Sequence, residues 1–310
     1  MMPEDAKTSD SASATSQPQA DTSPTEPKKT RSNLFLRVAS AAVLLPLVLA
    51  LVIFGTATMW AIFMGLVAFA AAIEFMRITI HEESRLTRWA SAVIAMIPAV
   101  IAYLFIGQNA PIVVKSPMLV LGASVAACLW GAYLFNCFRP REIARASHVI
   151  QSTLGAAVYV GFTFLALALF KRDLINGNAW IFTLMAMTWC SDTAAYFVGR
   201  ALGKRRLAPI LSPKKSVAGA VGGFCAAILV ALIARHLAFP DIGLIPVIIM
   251  AIVANFLSQM GDLAESLLKR SHGIKDSGNI IPGHGGILDR VDALIFAAPW
   301  VYGFAVFTAL

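Results

Sequence analysis

Polar and apolar positions in this chain come in long blocks. Runs of the roughly 20 apolar residues that a helix needs to cross a bilayer core recur at about 36–54, 57–76, 89–107, 118–138, 148–170, 179–199, 217–238, 243–261 and 293–310. Short segments rich in Arg, Lys, Asp, Glu, Gly and Pro separate them. The pattern predicts an all-α, polytopic membrane protein with about nine transmembrane helices. Two runs are interrupted, 243–261 by Pro246 and Asn255 and 179–199 by Asp192. Residues 1–33 differ in kind, being dominated by Ser, Thr, Pro, Ala and charged residues without an aromatic. Such a segment cannot bury enough apolar surface to offset its ordering entropy. A disordered cytoplasmic tail is expected there, ahead of an integral membrane domain over 34–310. The tail is too long and too polar for the start of a cleaved signal peptide, so the first apolar helix is expected to be retained.

Composition sharpens this picture. The chain is 58% hydrophobic and 14% charged, against about 45–50% and about 25% in soluble domains. The net charge of +8 raises the question of nucleic acid, but the bases are distributed by topology. With the amino terminus inside, the outer segments hold only Lys115, Lys171, Arg172 and Arg235 of the 25 bases. The positive-inside rule then places the amino terminus in the cytoplasm and the carboxyl terminus outside. The charge reads as basic inner loops beside anionic lipid, with no nucleic-acid partner. Cys128, Cys137, Cys190 and Cys225 are scattered without CxxC spacing, as small buried hydrophobes are. No repeat of 20–50 residues and no inverted duplication of the transporter kind is present.

The chemistry gathers near the carboxyl terminus. Residues 258–292 hold five acids, four bases and two histidines between apolar runs. Carboxylates beside a membrane are costly to desolvate, so a cluster marks a metal, ion or substrate site. On a helix Asp262, Glu265, Ser266 and Lys269 share a face, and so do Asp289 and Asp292. Two such faces can offer hard oxygen ligands to Mg²⁺, which takes one or two carboxylates plus substrate phosphates. The competing reading is interfacial ion pairing, for example Asp289 with Lys269. His284, between Gly283 and Gly285-Gly286, is equally a phosphate, metal or proton contact and a plain turn residue. His272 reads as a loop residue. Bare Gly amides can approach phosphate. A second patch runs from Asp192 through Gly199-Arg200 and Lys204-Arg205-Arg206 to Ser212-Pro213-Lys214-Lys215-Ser216. It lacks P-loop order, but its lysines and hydroxyls lie beside a helix start that favours anions. No HExxH or GxSxG pattern supports zinc hydrolysis or a serine esterase.

At these residues the chain resembles the phosphatidate cytidylyltransferase, or CDP-diacylglycerol synthase, family. The resemblance rests on Ser266-Leu-Leu-Lys269-Arg270, Lys275-Asp276, Pro282-Gly283-His284-Gly285-Gly286 and Asp289-Arg290-Val291-Asp292. Gly261-Asp262-Leu263, the Asp192…Gly199 block and Ser-Pro-Lys-Lys add to it. The motifs cover about 188–292, the expected catalytic part. One block departs: relatives commonly continue Ser-Pro-Lys-Lys with Thr-Trp-Glu-Gly, where this chain has Ser216-Val217-Ala218-Gly219. The resemblance implies transfer of CMP from CTP to phosphatidate, forming CDP-diacylglycerol and pyrophosphate. It implies Mg²⁺ on Asp262, Asp289 and Asp292, with room for a second cation. Ser212, Lys214 and Lys215 would hold the triphosphate, with Asp192, Ser216, Lys275, Asp276, Gly285 and Gly286 around the nucleotide. Lys269, Arg270 and Arg290 would attract the lipid phosphate, while Glu265, Asp276 and His284 position these parts. A polar cavity lined by the runs 179–199, 243–261 and 293–310 would open at the inner leaflet of a bacterial plasma membrane. The family also allows a homodimer; the residues themselves set no oligomeric state. Other readings are a CTP-dependent polyprenol kinase, a cation-coupled transporter and a structural membrane anchor. The transporter would place paired acids at mid-bilayer in broken helices, whereas most acids here fall in one inner segment.

Overall fold

The computed structural model describes residues 29–107, 109–112, 114, 116–138, 142–281 and 285–309, with side chains from Val38 to Thr308. The tail expected at 1–33 lies outside these residues up to position 28, and the first helix reaches back to Lys29. In chain order the helices are α1 (Lys29–Phe54), α2 (Ala57–Thr79), α3 (Arg85–Phe105), α4 (Pro117–Cys137), α5 (Ile143–Ala156), α6 (Thr163–Asp173), α7 (Gly177–Leu202), α8 (Val217–Ala238), α9 (Leu244–Ser271) and α10 (Leu288–Ala309). A π-helical turn, Ala157–Phe162, joins α5 to α6 in one rod. The described residues therefore form nine rods, in agreement with the nine apolar runs.

Seven rods are long and apolar enough to cross a membrane, and the chain is an integral membrane protein. The other two are α1, whose apolar part is Val38–Phe54, and α7, which carries Asp192 and Arg200. Polar breaks in the sequence mark the helix ends. Thr56 and Ser84 cap α2 and α3 by accepting from Met59 N and Thr87 N, each at 3.2 Å. Pro246 does not interrupt α9, because it falls in the first turn, where no intrahelical N–H is needed. Instead α9 continues for ten residues beyond the expected limit of 261 and carries the polar motif out of the apolar zone on one rigid element.

The fold is not wholly helical. A short antiparallel hairpin, β1 (Arg206–Ala208) and β2 (Ser212–Ser216), links α7 to α8. Ser216 ends the hairpin and caps α8, accepting from Gly219 N at 3.1 Å. Helices α7 and α8 meet along small residues. A Cβ on Gly219 would lie 2.6 Å from the Ala195 carbonyl oxygen, and one on Gly199 would lie 2.9 Å from Ser216 Oγ. Small residues let membrane helices approach backbone to backbone. Here that contact fixes the basic hairpin against α7.

Candidate active site

The site forms where α9 and α10 come closest. A side chain on Gly261 would collide with the Asp292 carbonyl oxygen and the Phe296 ring. The bare glycine sets the polar segment of α9 beside the first turns of α10. Below the contact, Tyr159 of the π turn packs between Phe75 of α2 and Phe296 of α10, with ring centroids 5.7 and 5.6 Å apart. The polar residues above rest on this aromatic floor.

One cluster is centred on Lys269. Its ammonium donates to Glu265 Oε2 at 2.8 Å and to Asp289 Oδ1 at 2.6 Å. All three side chains are nearly buried, at 13%, 2% and 11% exposure. One ammonium between two carboxylates leaves a formal negative charge, which backbone donors help to offset. Asp289 Oδ2 accepts from Ser277 N at 3.0 Å and Gly286 N at 2.9 Å. Thus Asp289 ties α10, α9 and the glycine-rich loop together. Gly285 turns that loop with φ of 85°, a conformation open to glycine at little cost.

Glu74 of α2 holds the same loop from beneath. Its Oε2 accepts from Leu288 N at 2.8 Å and Ser277 Oγ at 3.2 Å. A Cβ on Gly286 would lie 2.6 Å from Glu74 Oε2, so the glycine makes room for a carboxylate. Ser277 and Glu74 were not among the expected site residues. The available signal was that Glu74 is one of the few charges inside an apolar run.

The second cluster lies between α7, α9 and α10. Asp192, Asp262 and Asp292 are near enough for their charges to repel one another. Lys215 of β2 pairs with Asp262. Two motifs separated by 47 positions in sequence therefore meet at one point. The Tyr159 hydroxyl is within electrostatic range of Asp262, Glu265 and Asp292. It is buried and has no hydrogen-bond partner among the described residues. Sequence reasoning missed this residue, since an aromatic in an apolar run reads as core. The π turn carrying it is a distortion frequent at functional sites.

The remaining expected residues take different positions. Lys214 is exposed on β2, and Lys215 is partly buried beside it. Ser212 starts the strand and is partly buried. Ser216 is buried and its hydroxyl is occupied by the α8 cap. Arg270, Lys275, Asp276 and Arg290 are exposed around the clusters. Gly285 and Gly286 shape the turn that Asp289 grips. His284 lies outside the described residues. The expected metal set is divided: Asp262 and Asp292 lie within electrostatic range of each other, while Asp289 has both oxygens engaged by Lys269 and two backbone amides. Among the described residues, no group of three or more His, Cys, Asp or Glu is placed to hold a metal ion. Asp262 and Asp292 still meet the smaller demand of Mg²⁺, one or two carboxylates completed by substrate phosphates and water.

The fold and site thus define a polytopic helical membrane protein with an acidic and basic centre at one end of its helices. The chain belongs to the Cytidylyltransferase family, which it matches over residues 35–308. It is 36% identical over 291 residues to the protein named phosphatidate cytidylyltransferase of Brucella suis biovar 1 (strain 1330), covering 90% of this chain and 95% of that protein. The protein of the same name from Bacillus subtilis (strain 168) is 42% identical over 147 residues, 47% of this chain and 55% of that protein. That from Haemophilus influenzae (strain ATCC 51907 / DSM 11121 / KW20 / Rd) is 40% identical over 151 residues, 47% of this chain and 52% of that protein.

Proposed function

We propose that this chain transfers CMP from CTP to phosphatidate, giving CDP-diacylglycerol and pyrophosphate, at the cytoplasmic face of a bacterial inner membrane. The observation that carries the reading is the meeting of Lys215 with Asp262 beside Asp292, which joins the basic hairpin to the acidic helix pair. The names of the relatives supply the substrates. The positive-inside distribution of bases supports the orientation, since hairpin and signature then both face the nucleotide pool.

The reaction forms a bond from a phosphatidate phosphate oxygen to the α-phosphorus of CTP and breaks the α–β phosphoanhydride. The nucleophile is already anionic near neutral pH, so no strong general base is needed. The protein must neutralise charge and align the two phosphates. Lys214 and Lys215, with Ser212, attract the triphosphate. Arg270, Arg290 and Lys275 draw the lipid phosphate to the membrane surface. Asp262 and Asp292 would hold Mg²⁺, with Asp192 beside them as a further ligand or as the seat of a second cation. Bound there, the ion offsets negative charge on the triphosphate. Lys269, fixed by Glu265, holds Asp289, and Asp289 holds the amides of Ser277 and Gly286 in place. These are positioning roles. The Tyr159 hydroxyl is a spare donor beneath the carboxylates.

The test is purified protein with Mg²⁺, phosphatidate and CTP labelled at the α-phosphate. Label is expected in the lipid, with one pyrophosphate released per transfer. Phosphate transfer from the γ-position to a lipid alcohol would instead show a CTP-dependent kinase.

A further inference from the structure

Beside the polar site lies a space of opposite character. A cavity of about 630 Å³ sits between α1, α2, α6, α7 and α10. Val48, Trp60, Val67, Leu167, Met185 and Leu294 give its apolar character, and Arg290 is the one charged residue among those lining it. Its inner end is formed by Ile280, Ile281 and Ile287, which flank the glycine-rich loop, and by Arg290 and Val291 in the first turn of α10. The described residues on either side of the loop that Asp289 and Glu74 hold therefore also line the mouth of the chamber. Its other end lies at Trp60, in the first turn of α2. That indole is 2% exposed, and its N–H donates to the Leu167 carbonyl at 2.8 Å, which fixes the ring.

The depth suits a lipid tail. Along α7 the lining runs from Ile181 to Trp189, about 12 Å at about 1.5 Å per residue, and along α2 Trp60 lies about 21 Å from Glu74, which grips the loop at the mouth. One leaflet's hydrocarbon is about 15 Å deep, half of the roughly 30 Å core. Arg290 shares the chamber face of α10 with Val291 and Leu294, while Asp292, two residues on, lies on the opposite face of the helix.

We infer that this chamber holds one acyl chain of the lipid substrate, its phosphate at the Arg290 end, and that Trp60 is the floor that sets chain-length preference. The inference rests on the proposed phosphatidate substrate. A tail leaving the bilayer for an apolar chamber gains little transfer energy, because lipid tails are themselves apolar. Selection therefore comes from fit against fixed walls, where one methylene is worth on the order of tenfold.

The experiment compares kcat/KM for dihexanoyl, dilauroyl and dioleoyl phosphatidate at saturating CTP in mixed micelles. Trp60→Ala is expected to raise the dioleoyl-to-dilauroyl ratio on the order of tenfold. Val67→Trp, which fills the middle of the chamber, is expected to lower it similarly, with the dihexanoyl rate of each variant serving as its own reference. An unchanged chain-length profile in both variants overturns the inference. Absence of cytidylyl transfer from the wild type to any phosphatidate overturns instead the functional reading on which it rests. A second measurement needs no variant: phosphatidate carrying a diazirine at one chain end should label the Trp60 and Leu167 peptides of the wild type. Equal labelling by a diazirine phosphatidylcholine, uncompeted by excess phosphatidate, would mark a bulk-lipid site and reject the substrate assignment.

Discussion

The two ends of the helix bundle both carry charged residues among apolar neighbours, yet they are built differently. At the end away from the site, α6 finishes with Lys171-Arg172-Asp173. Lys171 Nζ donates to the Leu51 and Val52 carbonyls at 2.9 and 2.7 Å, closing the end of α1. Arg172 donates to the Ile106 carbonyl at 2.7 Å and to the Tyr103 carbonyl, closing α3. It also pairs with Asp173 at 2.7 Å, and Asp173 accepts from the Tyr302 hydroxyl at 2.8 Å. Each cation there meets a helix carbonyl, and the acid meets a cation and a phenol. At the site end, carboxylates crowd around Lys215 and Lys269, and a buried tyrosine hydroxyl has no partner among the described residues. A charge cluster with matched partners holds helices together. One with excess carboxylate and a spare donor has capacity left for substrate.

The largest expected effect tests that capacity. Asp292→Asn should lower turnover on the order of 10³-fold, the scale of losing several kcal/mol of charge stabilisation. Its unfolding midpoint in detergent should hardly move, and its Mg²⁺ requirement should rise. Asp289→Asn should lower turnover without shifting the Mg²⁺ titration, because that carboxylate is spent on Lys269 and the loop. A shifted Mg²⁺ midpoint in Asp289→Asn would return that residue to the metal site.

Next come two cation removals, one at each end. Lys269→Met and Arg172→Met each strand a carboxylate, and should each cost about 3–5 kcal/mol of stability. They should part in activity: the folded fraction of Arg172→Met should turn over at the wild-type rate, while that of Lys269→Met should be nearly inactive. Equal specific activity in both would erase the distinction between the two ends.

A smaller effect is expected at Tyr159. Tyr159→Phe removes an unpartnered buried hydroxyl, whose desolvation costs about 1–3 kcal/mol. Stability should hold or rise while kcat falls. A stability loss with unchanged kcat would make the hydroxyl structural. The smallest effect concerns Ala218, in the first turn of α8. An acid there interacts with the helix dipole by about 0.3–1 kcal/mol. Ala218→Glu should leave the KM for CTP unchanged or lower it by no more than about fivefold, as read from CTP titration at fixed phosphatidate.

Much of this arrangement is legible along the chain. The nine apolar runs became nine rods because the cost of unpaired backbone in lipid leaves little but helix for such segments. Asp262, Glu265 and Lys269 share a face because helical spacing is local. The sequence also carries the family signature at Asp289-Arg290-Val291-Asp292 and the basic block at Lys214-Lys215. Tertiary structure decided which carboxylate meets which partner. Asp289 and Asp292 look interchangeable in the motif. One turns to Lys269 and the loop amides, the other to Asp262 and Asp192, according to how Gly261 seats α9 against α10. Glu74 reaches Ser277 across 203 positions, and Tyr159 reaches the acids through a π turn that no local pattern announced. Periodicity and hydropathy act within a few residues of the chain. The pairing of charges and the enclosure of the apolar chamber depend on helix-to-helix distances, which only packing sets.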